Sequence, residues 1–332
     1  MEKYTLKDAK KQFSRVGLIL FLGSLLIYTV QTSAVLIFGN FPAIIRNDSL
    51  FFLSYMLPTN FIAYPLVFLM FKKVPTKMTG REAASQKKMP VSHLLISFCI
   101  AYAGTTIFNL LGNLLTTMIG FIKQSPVNNV VQNLVTTIEP LPLFICVVIF
   151  APIMEEILFR KLIIDRTVNY GEALSILFSG LVFGLFHGNL NQFCYAFFLG
   201  AFFSFIYIRT RNILYPILLH MLINFFSGFL GALLQQGEWF QEYMAVQTEE
   251  EMINILLNHL GEFIVYAGFS FFVYGIIIAG IAFFFANRKK LAAVPHEEDL
   301  PKGLRFKAML LNPGVILFCL LWISAILRQL IQ

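Results

Sequence analysis

A chain of 332 residues that is 58% hydrophobic and only 13% charged, with a mean hydropathy of +0.74, is too apolar for a water-soluble domain of that length. It reads as an all-α, polytopic membrane protein. Its net charge of +7 is accounted for by basic loops on one face of a bilayer, so no nucleic-acid partner is expected; the lipid bilayer itself is the expected partner.

The N-terminal stretch MEKYTLKDAKKQFSR is basic and leads into an apolar run from Val16 to Phe38. That run is too long for a signal-peptide core and has no small-residue cleavage site behind it, so it is expected to be a first retained span. At about 20 residues per crossing, further segments follow near 50–71, 91–122, 140–165, 172–188, 190–208, 212–235, 260–287 and 312–331. The expectation is therefore about nine spans with a cytoplasmic N-terminus. The fifth and sixth are short and are separated only by the polar tract from His187 to Gln192. Cytoplasmic loops collect Lys and Arg. Nine spans put nearly all basic residues on that side, leaving only Arg46, Lys123 and Arg328 opposite, together with an acidic loop over 236–259. The chain divides accordingly into N-terminal transmembrane helices over 1–139, a central core over 140–235, and an outer acidic loop with C-terminal transmembrane helices over 236–332. Cys99, Cys146, Cys194 and Cys319 all fall within apolar runs without paired spacing, as buried small residues do.

Ionisable groups deep in a bilayer cost roughly 2.5–3.5 kcal/mol each and usually mark function. Away from the span ends they are Glu155, Glu156, Arg160, His187 and His220, with Asn224 as a polar companion. Glu156 and Arg160 stand at i and i+4, on one helix face and in the favourable order for an ion pair. Glu155 points about 100° away around the helix and has no such partner, which leaves it free for chemistry. His187 follows Phe183 by one helical turn, and His220 precedes Asn224 by one turn. At about 1.5 Å rise per residue from their cytoplasmic ends, Glu155, His187, His220 and Asn224 all reach the middle of a core about 30 Å thick. Pro152, just before Glu155, and Pro216, one turn before His220, are candidate kinks that open room for water.

A carboxylate and an imidazole in a wet intramembrane pocket can deprotonate a water. A second imidazole one turn from a carboxamide offers donors to an oxyanion. Peptide-bond hydrolysis fits this set. The ordered motifs EExxxR at 155–160, FxxxH at 183–187 and HxxxN at 220–224 resemble those of the CPBP family, the CAAX-protease and bacteriocin-processing intramembrane glutamic endopeptidases, over about residues 140 to 230. The resemblance implies that Glu155 and His187 activate the water and that His220 and Asn224 stabilise the oxyanion, with Glu156, Arg160 and Phe183 in support. Members often carry Gly after the motif arginine; here it is Lys161. The implied substrate is a peptide or a membrane-associated, lipid-modified protein, and the implied location is a bacterial plasma membrane. No cofactor is expected, the alternative being zinc held by Glu155, His187 and His220. Two other functions fit the composition: a non-proteolytic bacteriocin-immunity or scaffold protein, and a proton-coupled transporter. No matching halves with broken helices favour the latter.

Overall fold

The computed structural model describes residues 5–76, 86–295 and 299–331; the basic residues Lys3, Lys77 and Arg81 and the loop histidine His296 lie outside them. The described residues form helices and no strand. The nine expected segments are all helical: α1 (Leu6–Phe38), α2 (Asp48–Phe71), α3 (Val91–Lys123), α4 (Pro140–Tyr170), α5 (Glu172–Phe186), α6 (Leu190–Thr210), α7 (Leu214–Gln235), α8 (Leu260–Asn287) and α9 (Pro313–Ile331). Eight are long and apolar enough to cross a membrane; α5 is the exception. Its 15 residues reach only about 22 Å at 1.5 Å per residue, short of a hydrocarbon core of about 30 Å. The protein is an integral, multi-pass membrane protein, with α5 and α6 forming a hairpin inside it.

That hairpin is possible because small residues let the two backbones touch. Gly180 and Gly184 lie one turn apart on α5 and face Gly200, Phe193 and Phe197 of α6. A Cβ on Gly200 would stand 2.8 Å from the Gly180 Cα, and one on Gly184 3.0 Å from the Phe193 carbonyl oxygen. Membrane helices gain no hydrophobic advantage by associating, so such close packing is what holds them together. The turn between them needs Gly188, at φ +65°, and Asn189 then caps α6 by accepting from the Gln192 amide at 2.9 Å.

Around this hairpin α3 packs on α6 and α8, and α1 packs on α2 and α9. Phe13, Phe71, Phe159, Phe178, Phe183 and Phe203 are fully buried in one core, while α8 exposes Phe271, Tyr274, Ile278 and Phe285 as a lipid-facing surface would.

The basic segment ends meet at one end of the bundle. Arg166, buried at the end of α4, donates to the Phe71, Val74 and Leu162 carbonyls at 2.8, 3.0 and 2.9 Å, tying the end of α2 and the turn after it to α4. Gln12 reaches the Pro75 and Arg166 carbonyls. Arg209 pairs with Glu172 at 2.7 Å and also holds the Ala292 carbonyl. The Lys87 amide donates to the Thr210 carbonyl. The start of α5 and the end of α6 thus share this end, which is why a short α5 leaves the order of the later loops unchanged.

Candidate active site

The site is built on α4, which does not keep a regular α-helical repeat. Wide π-helical stretches at Phe144–Phe150 and Ile157–Leu162 bracket the normal turn Ala151–Glu156 that carries both glutamates. Such stretches leave carbonyls short of helical partners and recur at functional sites. In the first stretch the Ala151 amide closes on the Cys146 carbonyl, a five-residue step. Pro152 has no N–H to give the next carbonyl, that of Val147, in the same register. Asn224 of α7 supplies the donor instead, its Nδ2 lying 2.9 Å from the Val147 oxygen. In the second stretch the Phe159 carbonyl accepts from Ser179 Oγ of α5 at 2.8 Å. Two cross-helix hydrogen bonds therefore fix α7 and α5 against α4 on either side of the glutamates.

With that register set, His220 falls between the two carboxylates. Its Nδ1 lies 2.8 Å from Glu156 Oε1 and its Nε2 lies 3.9 Å from Glu155 Oε2. Glu156 also faces Arg160 Nε at 3.0 Å, with both side chains wholly buried. The alignment of that contact falls outside hydrogen-bond geometry, so the attraction is one of charge. The Arg160 guanidinium lies over the Phe183 ring, 4.1 Å from its centroid, a cation–π contact that helps to hold a wholly buried charge. The expected Glu156–Arg160 pair is thus present, and it has a third member that spacing along one helix does not reveal. Glu155, expected without a partner, has His220 as its neighbour.

Phe183 is the hub of the cluster. Its ring meets His187 at 4.9 Å and His220 at 5.9 Å, edge-on to each at 88° and 89°. His187 ends α5 with Nδ1 2.8 Å from the Phe183 carbonyl. Only a protonated Nδ1 can bond a carbonyl, so the neutral ring turns an unprotonated Nε2 outward. His220 is arranged in the same sense: with Nδ1–H given to Glu156, its Nε2 donates only when the ring is doubly protonated. One N–H of Asn224 is committed to Val147, and the other remains.

The Glu155 side chain keeps 15% of its surface and makes no direct hydrogen bond among the described residues. Two clefts of about 470 and 690 Å³ open elsewhere, the first lined by Asn113, Thr116 and Asn191, the second by Trp239, His259 and Glu262. Among the described residues no three His, Cys, Asp or Glu side chains gather as a metal-binding group. All four cysteines are free.

The structure is thus a multi-pass helical bundle with a carboxylate–imidazole cluster on its inner helices. Residues 137–226 match the family model of type II CAAX prenyl endopeptidase Rce1-like proteins. The chain is 32% identical over 129 residues to YdiL of Bacillus subtilis (strain 168), which carries the name of a membrane peptidase; the match covers 37% of the chain and 50% of that protein. It is 29% identical over 162 residues to the membrane-embedded CAAX protease MroQ of Staphylococcus aureus (strain USA300), covering 46% of the chain and 63% of that protein. The chain thus spans between half and two thirds of these relatives. No solved structure matches.

Proposed function

We propose that the chain is an intramembrane endopeptidase of the glutamic type, acting on a peptide or a lipid-modified, membrane-associated protein. The observation that carries this reading is His220, anchored through Nδ1 to Glu156 at 2.8 Å and facing Glu155 through Nε2 at 3.9 Å. In this reading Glu155, aided by the outward Nε2 of His187, takes a proton from water as the water oxygen adds to the scissile carbonyl. Doubly protonated His220 and the remaining Asn224 N–H stabilise the oxyanion. The proton held by Glu155 then passes to the departing amine as the C–N bond breaks, leaving one new carboxylate and one new amine. No step runs through a metal. The end of the bundle where Arg166, Arg209 and Lys87 meet is assigned to the cytoplasm, with the N-terminus on that side, because cytoplasmic loops are the basic ones.

The test uses purified protein in proteoliposomes and one quenched fluorescent peptide carrying a C-terminal CAAX box, prepared with and without a farnesyl group. Cleavage is followed by fluorescence and the products are read by mass spectrometry. Glu155→Gln should lower the rate by about 10²–10⁴-fold, the usual span for losing a general base. Cleavage by Glu155→Gln at the wild-type rate would sink the reading. A cellular phenotype that persists in Glu155→Ala would point to a non-proteolytic scaffold or immunity role.

A further inference from the structure

His187 stands in the short turn between α5 and α6, and α9, outside the segment that carries the site motifs, touches that turn on both sides of it. The Trp322 ring packs on the Phe186 ring at 5.0 Å between centroids. It also lies against the backbone of Gly188, where an added Cβ would stand 3.0 Å from Trp322 Cζ3. The indole is itself fixed, because its Nε1–H donates to Ser24 Oγ of α1 at 3.1 Å. Two helical turns further along the same face of α9, Gln329 Oε1 accepts from the Leu190 amide at 3.3 Å. That amide opens α6 and has no partner within the helix. The Gln329 NH₂ donates to Asn191 Oδ1 at 3.2 Å and to the Asn128 carbonyl at 2.9 Å. Inside the turn, Asn189 Nδ2 holds the His187 carbonyl at 2.9 Å, so the backbone of the histidine follows residues whose neighbours α9 grips. Gly17 and Gly314 bring the backbones of α1 and α9 together, and the Gly314 amide donates to Ser14 Oγ at 3.1 Å, which anchors the helix behind the turn.

We propose that α9 sets the place of His187, with Trp322 and Gln329 as positioning residues for that histidine. The inference rests on the endopeptidase reading given above, in which the outward Nε2 of His187 helps Glu155 to take a proton from water. His187 caps the end of α5, and its Nδ1 bond to the Phe183 carbonyl orients the ring relative to α5 alone. A helix end shifts unless the turn beyond it is tied down. Trp322 supplies the tie beside His187, and Gln329 supplies the one at the start of α6. Neither residue exchanges a proton or forms a bond in the reaction. A misplacement of about 1 Å at a reacting group costs up to about a hundredfold in rate, so holding the turn has a direct catalytic consequence.

The experiment measures cleavage of the same CAAX peptide in proteoliposomes by wild type, Trp322→Leu, Trp322→Phe, Gln329→Leu, His187→Gln and Glu155→Gln. Trp322→Leu and Gln329→Leu are also each combined with His187→Gln, whose residual cleavage is read by mass spectrometry with enzyme in excess over peptide. Trp322→Leu should lower kcat about ten- to a hundredfold with KM unchanged. Trp322→Phe, which keeps a ring against Gly188, should recover most of that loss. Gln329→Leu loses hydrogen bonds and no ring, and should lower kcat about fivefold. In the His187→Gln background both substitutions should change the rate by less than about twofold, because the group they position is gone. A merely structural role would lower the rate by the same factor with and without His187. Equal factors in the two backgrounds would therefore overturn the proposal, as would wild-type kcat in both Trp322→Leu and Gln329→Leu. Gln329 is half-buried near the end of α9, so its variant keeps the comparison readable even where Trp322→Leu does not fold. If Glu155→Gln cleaves at the wild-type rate, the endopeptidase reading fails and takes the role of α9 with it. If Glu155→Gln is inactive while the Trp322 and Gln329 factors persist without His187, only the role of α9 fails.

Discussion

His220 Nδ1 lies 2.8 Å from Glu156 Oε1, so the second glutamate of the pair is what holds the histidine facing the first. The same carboxylate neutralises Arg160, with both side chains wholly buried. Removing the charge at Glu156 leaves a buried guanidinium uncompensated, a loss of about 3–5 kcal/mol. Glu156→Gln should therefore lower the thermal unfolding midpoint strongly. The double variant Glu156→Gln with Arg160→Met removes both charges and should recover most of that stability while cleavage stays low, because the Gln amide oxygen can still accept the His220 Nδ1–H but no longer favours the doubly protonated ring. Thermal unfolding in detergent and peptide cleavage, measured on all variants, check this; recovery of activity along with stability would show that Glu156 serves only to neutralise Arg160.

The Asn224–Val147 hydrogen bond at 2.9 Å exists because Pro152 cannot supply an N–H. Asn224→Leu removes the donor and leaves a buried carbonyl unpaired, which costs about 1–3 kcal/mol. Pro152→Ala should by itself change stability little. In the double variant the new Ala amide can take the Val147 carbonyl, so the cost of Asn224→Leu should shrink by at least about 1 kcal/mol, a coupling that a double-mutant cycle resolves. Strict additivity would show that the proline and the asparagine are unrelated.

The parts of this molecule that could be read along one helix were readable in the sequence, and those that depend on two helices meeting were not. Spacing alone pairs Glu156 with Arg160, separates Glu155 from both and puts Phe183 on the His187 face, because a 3.6-residue repeat is a local property. The second partner of Glu156 sits 64 residues away, and nothing in either segment announces the contact. The π stretches around Glu155 were hidden for a related reason. Their cause is the balance between a proline and a donor on another helix, and Pro152 by itself signals only a kink. The shortness of α5 was half visible in the polar tract from His187 to Gln192. What spacing on Gly180 and Gly184 adds, a close crossing with α6, needs the partner helix before it can be placed.

That crossing gives a direct test of the fold. A side chain at Gly200 would bring its Cβ to 2.8 Å from the Gly180 Cα, and backbone offers no flexible end to yield. Gly200→Val should destabilise by about 1–3 kcal/mol through overpacking and should reduce cleavage by shifting the turn that bears His187. At Gly228, where a Cβ meets nothing within 4 Å, substitution by Ala should leave both measurements near wild type. Equal behaviour of Gly200→Val and Gly228→Ala in thermal unfolding would contradict the hairpin.

Each imidazole of the site has Nδ1 held, His187 by the Phe183 carbonyl and His220 by Glu156, and each keeps Nε2 for other use. That arrangement suits a metal ligand as well as an acid or base, since metal-bound histidines are steadied through their other nitrogen. Convergence separates the two uses. A zinc ion needs its ligands at about 2.0–2.2 Å from one point, and among the described residues no three His, Cys, Asp or Glu side chains are grouped in that way. Water activation asks less, only that a base reach one proton. Incubation with a strong chelator, followed by its removal on a desalting column, should leave the initial rate of peptide cleavage and the melting temperature in detergent unchanged. A loss of rate that added zinc restores, accompanied by a stoichiometric rise in bound zinc measured by elemental analysis, would replace the metal-free mechanism with a metallopeptidase one.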